Sequence, residues 1–161
     1  MPFSDPKSVL EVLSRLSELE LALSDLYLEC ARIWPERAEL WDCLGREEIE
    51  HAKYLAKIEE IVREQPQSFV VHRPFALSAI ETFHAAIKRR LEQVRIRGLS
   101  LRDILAIARD FESSIIEMRF VDYLQFKDAQ NNALAKAIEA QTQQHRKKLT
   151  DAVQAMQSSR G

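Results

Sequence analysis

Five ionisable side chains occupy positions where the apolar pattern of the sequence predicts core residues. They are Glu20, Glu48, His51, Glu112 and His145, and each interrupts a series of apolar residues spaced by three and four. Burying an unpaired carboxylate is so unfavourable that several such groups on core faces require a compensating charge. Carboxylate oxygens and neutral imidazole nitrogens are suitable ligands for divalent iron, manganese or zinc. These residue types therefore indicate a metal site inside the protein core.

The spacing of these residues repeats between the two halves of the chain. Glu48 and His51 are three residues apart, so a helix places both on one face, where they can bind one ion together. Glu20 precedes His51 by 31 residues, and Glu112 precedes His145 by 33 residues. Each interval spans one helix–turn–helix hairpin, so two hairpins present the same order of ligands. This repeat is stronger evidence for a site than one isolated Glu-x-x-His pair.

The composition of the chain favours helices as the elements that position these residues. Only three Gly and five Pro occur among 161 residues, which leaves too little turn chemistry for many short strands. Asp5 is expected to cap a first helix that runs to about Ile33, and Pro35 begins a second helix that continues to about Glu64. The short joint between them predicts an antiparallel hairpin.

The rest of the chain is predicted to contain an extended connection, three helices and a frayed end. The connection is QPQSFVVHRP (65–74), whose two prolines oppose a helix. Ser100 and Asp103 form a capping-box-like start for one helix, and Asn131 and Asn132 are expected to break the chain before the last helix. The three predicted helices cover 75–97, 100–129 and 133–156, with 157–161 as a frayed tail.

The sequence thus predicts one domain over residues 1–161, in an all-α four-helix bundle with an additional crossover helix. The helix over 75–97 is roughly 34 Å long at about 1.5 Å per residue, which is close to the length of its neighbours. It can therefore return the chain along the bundle, between the second and third bundle helices. Two hairpins then pack together and bring the five ionisable groups to the middle of the bundle.

Two long stretches carry a resemblance to a known family. The first, LELALSDLYLECARIWPERAELWDCLGREEIEHAKYL (19–55), combines a Glu in the first helix, a Tyr two turns later and an EExxHA motif in the second helix. The second half is similar through DILAIARDFESSIIEMRF (103–120) and AQTQQHRKKL (140–149), which supply a Glu and a His. Over nearly its whole length the chain resembles the rubrerythrin-like branch of the ferritin-like di-iron carboxylate superfamily. The resemblance implies a ferritin-like four-helix bundle.

The resemblance implies metal ligation by the five residues already named, with two departures from the family pattern. Thr142 stands where the family carries the Glu of its second Glu-x-x-His, with Gln141 before it, so one carboxylate ligand is lost. Arg119 occupies the place that corresponds to Tyr27 in the first half, and its guanidinium is expected to pair with Glu112. Tyr27 itself is either a core residue or a hydrogen-bond donor to a metal-bound carboxylate. With only three carboxylates among the expected ligands, the number of bound ions is left open as two, one or none.

Four other residues near these patterns have alternative interpretations. Glu47 is expected to face solvent or to support the site from outside, because it lies about 100° round the helix from Glu48. Glu81 and His84 form a third Glu-x-x-His in the crossover helix, and a surface position is favoured over metal ligation for both. Gly45 in the second helix either permits close helix approach or occurs there by chance.

Two classes of function remain open. The resemblance implies an oxidative di-iron enzyme that reduces peroxide or oxidises ferrous iron, with zinc or manganese as substitutes for iron. The chain has no CxxC motif, so it lacks the small iron–sulfur donor of a complete rubrerythrin, and a peroxidase cycle needs an external electron donor. The alternative is a non-catalytic metal-binding or structural bundle with a single or degenerate site, which Thr142 and Arg119 favour.

Charge and hydropathy limit the expected partners. The formal net charge of −2 predicts no attraction to nucleic acid or to an anionic membrane. No apolar run approaches the roughly 20 residues that span a bilayer, and the start MPFSDPKS lacks the features of a secretory signal, so a cytoplasmic protein is expected. A homodimer is expected because a crossover helix leaves large helical faces available.

Overall fold

The chain folds mainly into helices and contains one small antiparallel pair of strands. The computed structural model describes residues 5–159. Its α-helices and strands in chain order are α1 (Pro6–Ile33), α2 (Ala38–Glu64), β1 (Phe69–Val71), α3 (Leu77–Arg95), α4 (Leu101–Met118), α5 (Phe120–Tyr123), β2 (Leu124–Phe126) and α6 (Ala129–Ser158). A short 3₁₀ helix, Pro35–Arg37, comes directly before α2. The prediction of a mainly helical protein is confirmed. None of the helices within these residues is long and apolar enough to cross a membrane.

The first two helices form the predicted antiparallel hairpin, in which the backbones approach closely. Ser24 Oγ donates a hydrogen bond to the carbonyl oxygen of Gly45 at 2.8 Å, and Ser17 Oγ donates one to the carbonyl oxygen of Ala52 at 3.5 Å. A Cβ atom at position 45 would lie only 2.8 Å from the side chain of Leu28. Close helix approach therefore accounts for the glycine in the middle of α2.

The third helix, α3, falls within the stretch 75–97 for which a helix is predicted. It lies along α1, whereas α6 packs against both α4 and α2. The hairpin of α1 and α2 thus meets the pair α4 and α6 through α2 and α6. Side chains from α1, α2, α4 and α6 share one hydrophobic core, to which α3 adds its apolar face.

The prediction of one continuous helix over 100–129 is wrong in its second half, and one small pair of strands accompanies the predicted all-α architecture. That helix ends at Met118, and Arg119 has a left-handed backbone conformation (φ 52°). The chain continues through α5 into β2, which pairs with β1 in antiparallel register. Phe69 and Phe126 face each other across this pair with ring centroids 6.2 Å apart, and Arg73 donates hydrogen bonds to the carbonyl oxygens of Met118 and Arg119. Partners far away in sequence therefore override the local helical pattern.

The predicted break at Asn131 and Asn132 is also wrong, because both residues lie in the first turn of α6. Asp128 caps this helix by accepting the N–H of Gln130. The Asn132 side chain accepts a hydrogen bond from the N–H of Phe126 and donates one to its carbonyl oxygen, each at 2.8 Å. The asparagine anchors β2 to α6. At the other end α6 continues to Ser158, beyond the start of the expected frayed tail, whose last two residues lie outside the described part of the chain.

We predict that Asn132→Ala lowers the free energy of unfolding by about 1–3 kcal/mol, because two backbone groups of Phe126 lose their partners. Asn131→Ala is the matched control, since it removes a neighbouring amide in the same helical turn, and it should change stability by no more than about 0.5 kcal/mol. Chemical denaturation of both variants gives the two values. Equal values for the two variants would contradict the anchoring role of Asn132.

Candidate metal centre

The five ionisable residues that interrupt the apolar pattern lie together in the core. Glu20 is 4% exposed, Glu48 is 1% exposed, and the side chains of His51, Glu112 and His145 are fully buried. They come from the four helices α1, α2, α4 and α6. Ligand atoms lie within 4.8 Å of one another in two groups, one made of Glu20, Glu48 and His51 and the other of Glu48, Glu112 and His145. Glu48 belongs to both groups.

Each oxygen of the shared carboxylate faces one imidazole. Glu48 Oε2 lies 2.9 Å from Nδ1 of His51, and Glu48 Oε1 lies 2.9 Å from Nδ1 of His145. The other carboxylates complete the two groups, with Glu20 Oε2 4.0 Å from Nδ1 of His51 and Glu112 Oε2 3.6 Å from Nδ1 of His145. The imidazole rings stack with centroids 5.3 Å apart. This is the arrangement in which one carboxylate can bridge two cations.

The outer nitrogen of each imidazole is held by a residue from the opposite hairpin. His51 Nε2 lies 2.7 Å from Oε1 of Gln141, and His145 Nε2 lies 2.6 Å from Oε2 of Glu47. Gln141 comes directly before Thr142, and Glu47 comes directly before Glu48, so the two contacts are related by the repeat in the chain. Nδ1 of His51 is hydrogen-bonded to Oε2 of Glu48, so it must lose its proton before it can bind a metal ion. When Nε2–H donates to Gln141 or Glu47, a neutral imidazole can direct its Nδ1 lone pair at the ion.

Several buried polar atoms converge without forming hydrogen bonds. Among the described residues, Glu20 Oε2, Glu48 Oε1, Glu112 Oε2 and His145 Nδ1 have no hydrogen-bond partner. His145 Nδ1 is near Glu48 Oε1, but the geometry of that pair is not that of a hydrogen bond. Unpaired buried oxygens and nitrogens are costly, whereas a cation between them would satisfy all of them together. The residues present therefore fit one or two metal ions.

Tyr27 supports the centre from α1. Its hydroxyl is fully buried and donates a hydrogen bond of 2.5 Å to Oε1 of Glu112. That bond occupies one oxygen of the carboxylate and leaves Oε2 directed at His145. Tyr27 is thus a core residue that also donates a hydrogen bond to a carboxylate of the candidate centre.

The expected pairing of Arg119 with Glu112 is wrong. The Arg119 side chain is 70% exposed and forms an ion pair with Asp122. The pairing requires that Arg119 lie on the same helix as Glu112. Instead α4 ends at Met118, and Arg119, in a left-handed conformation, has its side chain at the surface. Thr142 is buried, and its hydroxyl donates to the carbonyl oxygen of Ile138 at 2.8 Å, so it does not replace the missing carboxylate.

The remaining sequence candidates lie outside the two ligand groups. Glu47 holds His145 from the outside with 30% of its side chain exposed, which agrees with the supporting role expected for it. Glu81 is an exposed residue 3.9 Å from Arg15, and His84 is half-buried on α3. The contact of Gln141 with His51 was missed from sequence. Gln141 directly precedes Thr142, as Glu47 directly precedes Glu48, and this match in the repeat is the signal that could have identified it.

The buried carboxylates and imidazoles favour proton binding. Burial, followed by the charge of Glu48, raises the pKa of Glu20 well above its usual value. Burial, followed by the charge of Glu112, raises the pKa of Glu48 to about 7. Burial alone would lower the pKa of His145, but the facing carboxylates of Glu112 and Glu48 raise it to about 11. A metal ion must therefore displace protons, and its affinity should increase with pH.

Comparison of the chain with protein-family models, with curated proteins and with solved structures finds no match. The assignment of the centre depends instead on the convergence of Glu20, Glu48, His51, Glu112 and His145 and on the repeat that relates the two hairpins.

We predict opposite pH dependences of stability for the metal-free and metal-saturated protein. The folded-state pKa of Glu48 is raised from 4.5 to about 7, so the folded chain binds extra protons in this range and loses that stabilisation as pH rises through 7. The raised pKa of His145 acts in the same direction above 6.5. The Tm of metal-free protein should therefore fall from about pH 5 to about pH 8, whereas added metal should reverse the slope.

Thermal unfolding followed by circular dichroism, with chelator or with added zinc, measures both slopes. Glu48→Gln cannot ionise at this position, so its metal-free slope should be shallower than that of the wild type. A rising Tm in the metal-free wild type over this range would contradict the proton binding proposed for the buried carboxylates.

We predict that Thr142→Glu strengthens binding of a second divalent ion, because it adds a fourth carboxylate three residues before His145 on the same face of α6. Thr142→Gln is the matched control, since it has nearly the same size and no charge. Calorimetric titration with manganese under identical buffer conditions gives the affinities. A similar gain in both variants would show that side-chain size rather than the carboxylate is responsible.

Proposed function

We propose that this chain is a ferritin-like, rubrerythrin-like four-helix bundle that binds two metal ions and acts as an oxidoreductase on ferrous iron or peroxide. The observation that carries the proposal is the position of Glu48, whose two oxygens each lie 2.9 Å from Nδ1 of a different histidine. A carboxylate placed in this way is suited to bridge two ions that act together.

The two ions would be held by different parts of the chain. One would bind Glu20, Glu48 and Nδ1 of His51, and the other would bind Glu48, Glu112 and Nδ1 of His145. Iron is the proposed metal because each ion can supply one electron, so that a pair supplies the two electrons that convert peroxide and two protons into two water molecules. The same loss of electrons oxidises ferrous iron when iron itself is the substrate.

The protein groups around the ligands set their orientation and exclude water. Tyr27 fixes one oxygen of Glu112, while Gln141 fixes the ring of His51 through its outer nitrogen. The ligands themselves are almost inaccessible to solvent, so charge interactions inside the centre are strong. A peroxidase cycle requires that an external donor return two electrons to the ions.

The absence of a sixth ligand is partly offset by negative charge next to the ligand set. Three ligand carboxylates offset three of the four charges of two divalent ions, and Thr142 adds none. Glu47 supplies a fourth carboxylate, which contacts Nε2 of His145 at 2.6 Å instead of the metal position. The negative charge of Glu47 would act on the second ion through the imidazole of His145. This contact supports binding of two ions even though Thr142 offers no carboxylate.

The second candidate is a non-catalytic centre in which one ion stabilises the fold. Thr142 favours this alternative, because its hydroxyl is directed to the backbone of Ile138 and leaves the second ion with one ligand fewer. Such a protein would bind a single ion tightly and would not react with an oxidant.

Anaerobic loading with ferrous iron, followed by peroxide, separates the two candidates. Wild-type protein is expected to bind about two irons per chain and to show rapid growth of visible absorbance on addition of peroxide. Glu48→Gln should bind far less iron, because it removes the shared charge. Glu50→Gln is the matched control, since Glu50 is an exposed residue of the same helix that pairs with Lys53, and it should behave as wild type.

One iron per chain without reaction would support the structural candidate over the enzyme. Unchanged iron content in Glu48→Gln would remove the metal assignment under both candidates.

A further inference from the structure

A small apolar cavity lies between α4, α5 and α6, next to Thr142. Its volume is about 30 Å³. Hydrocarbon side chains form most of its wall, among them Ile115, Ile116, Phe120, Val121, Ala135 and Ile138. Arg119 and Glu139 also line it, and the exposed side chain of Arg119 marks its solvent side.

Thr142 is the residue of this cavity that lies nearest in sequence to a candidate metal ligand. It lines the cavity, and it lies three residues before His145, on the same face of α6. In the repeat of the chain Thr142 corresponds to Glu48, the shared carboxylate of the first hairpin. The cavity therefore lies within one helical turn of His145, beside the position at which the first hairpin carries its shared carboxylate.

The chemistry of the wall selects the occupant. A buried water needs about two to four polar partners, and cavities lined by hydrocarbon stay dry and take up apolar molecules such as xenon. The Thr142 hydroxyl already donates to the carbonyl oxygen of Ile138, so it has no proton left for a guest. Against the hydrocarbon part of the wall, away from Arg119 and Glu139, water and hydrogen peroxide would lose hydrogen bonds, whereas dioxygen has none to lose.

We infer that this cavity is a port through which dioxygen reaches the metal centre, and that the side chain at Thr142 keeps the port open. The inference rests on the proposed function and specifies its oxidant. Two ferrous ions each give up one electron, dioxygen accepts both together with two protons, and hydrogen peroxide leaves. A carboxylate in place of the short Thr142 side chain would extend into the space between the cavity and His145.

The first test measures gas binding without any added metal. Under xenon or dioxygen pressure, the methyl resonances of Ile115, Val121 and Ile138 should shift or broaden in a saturable manner, and more than those of the fully buried Val9 and Leu13 in α1. Ala135→Leu fills the cavity and should abolish the effect. Ala133→Leu, at an exposed position two residues away in α6, is the matched control and should retain it.

The second test compares oxidants on protein loaded with ferrous iron. Ala135→Leu should slow oxidation by dioxygen, while oxidation by hydrogen peroxide and the amount of iron bound stay as in the wild type. Ala133→Leu should leave both rates unchanged.

The possible results separate the port from the proposed function. Methyl groups of the cavity that respond to gas no more than Val9 and Leu13 would overturn the port, as would equal effects of Ala135→Leu on dioxygen and peroxide. Failure of the wild type to bind iron would refute the proposed function instead. The gas measurement would still decide whether the cavity takes up dioxygen.

Discussion

The interaction on which the rest of the structure depends is the mutual compensation of buried charge at the middle of the helices. Three carboxylates and two imidazoles are placed where water does not reach, and a shared Glu48 lies between the two histidines. Without a positive partner these carboxylates would be strongly destabilising. Protons provide that partner when no metal is bound, and metal ions can replace them. Folding and metal binding are therefore linked through the same few groups.

The two helical hairpins hold their histidines through the same kind of contacts, but the partners of the two histidines differ in charge. Each histidine offers Nδ1 to Glu48 and is held at Nε2 by a residue from the opposite hairpin. In one half that residue is neutral Gln141, and in the other it is the carboxylate of Glu47. The two candidate ion positions thus differ in the charge around them, although each has two carboxylates and one imidazole. The carboxylate of Glu47 lies on the side of His145, where Thr142 supplies none.

The sequence was sufficient for the parts of the molecule that depend on local periodicity. Glu48 and His51 interrupt an apolar face at helical spacing, so their inward position followed directly, and the repeat located the other three buried residues of the candidate centre. Features that depend on distant partners were missed. The strand pair forms only because residues far apart in sequence meet, and the helix end at Met118 turned Arg119 away from the core. The role of Gln141 requires knowledge of the facing helix, which periodicity does not supply.

Anomalous X-ray diffraction from crystals loaded anaerobically with ferrous iron tests the central claim most directly. The account predicts two anomalous peaks in the core, with one oxygen of Glu48 bound to each ion and with Nδ1 of His51 and Nδ1 of His145 bound to different ions. Iron found only at surface carboxylates, or coordinated through the Nε2 atoms, would contradict the account.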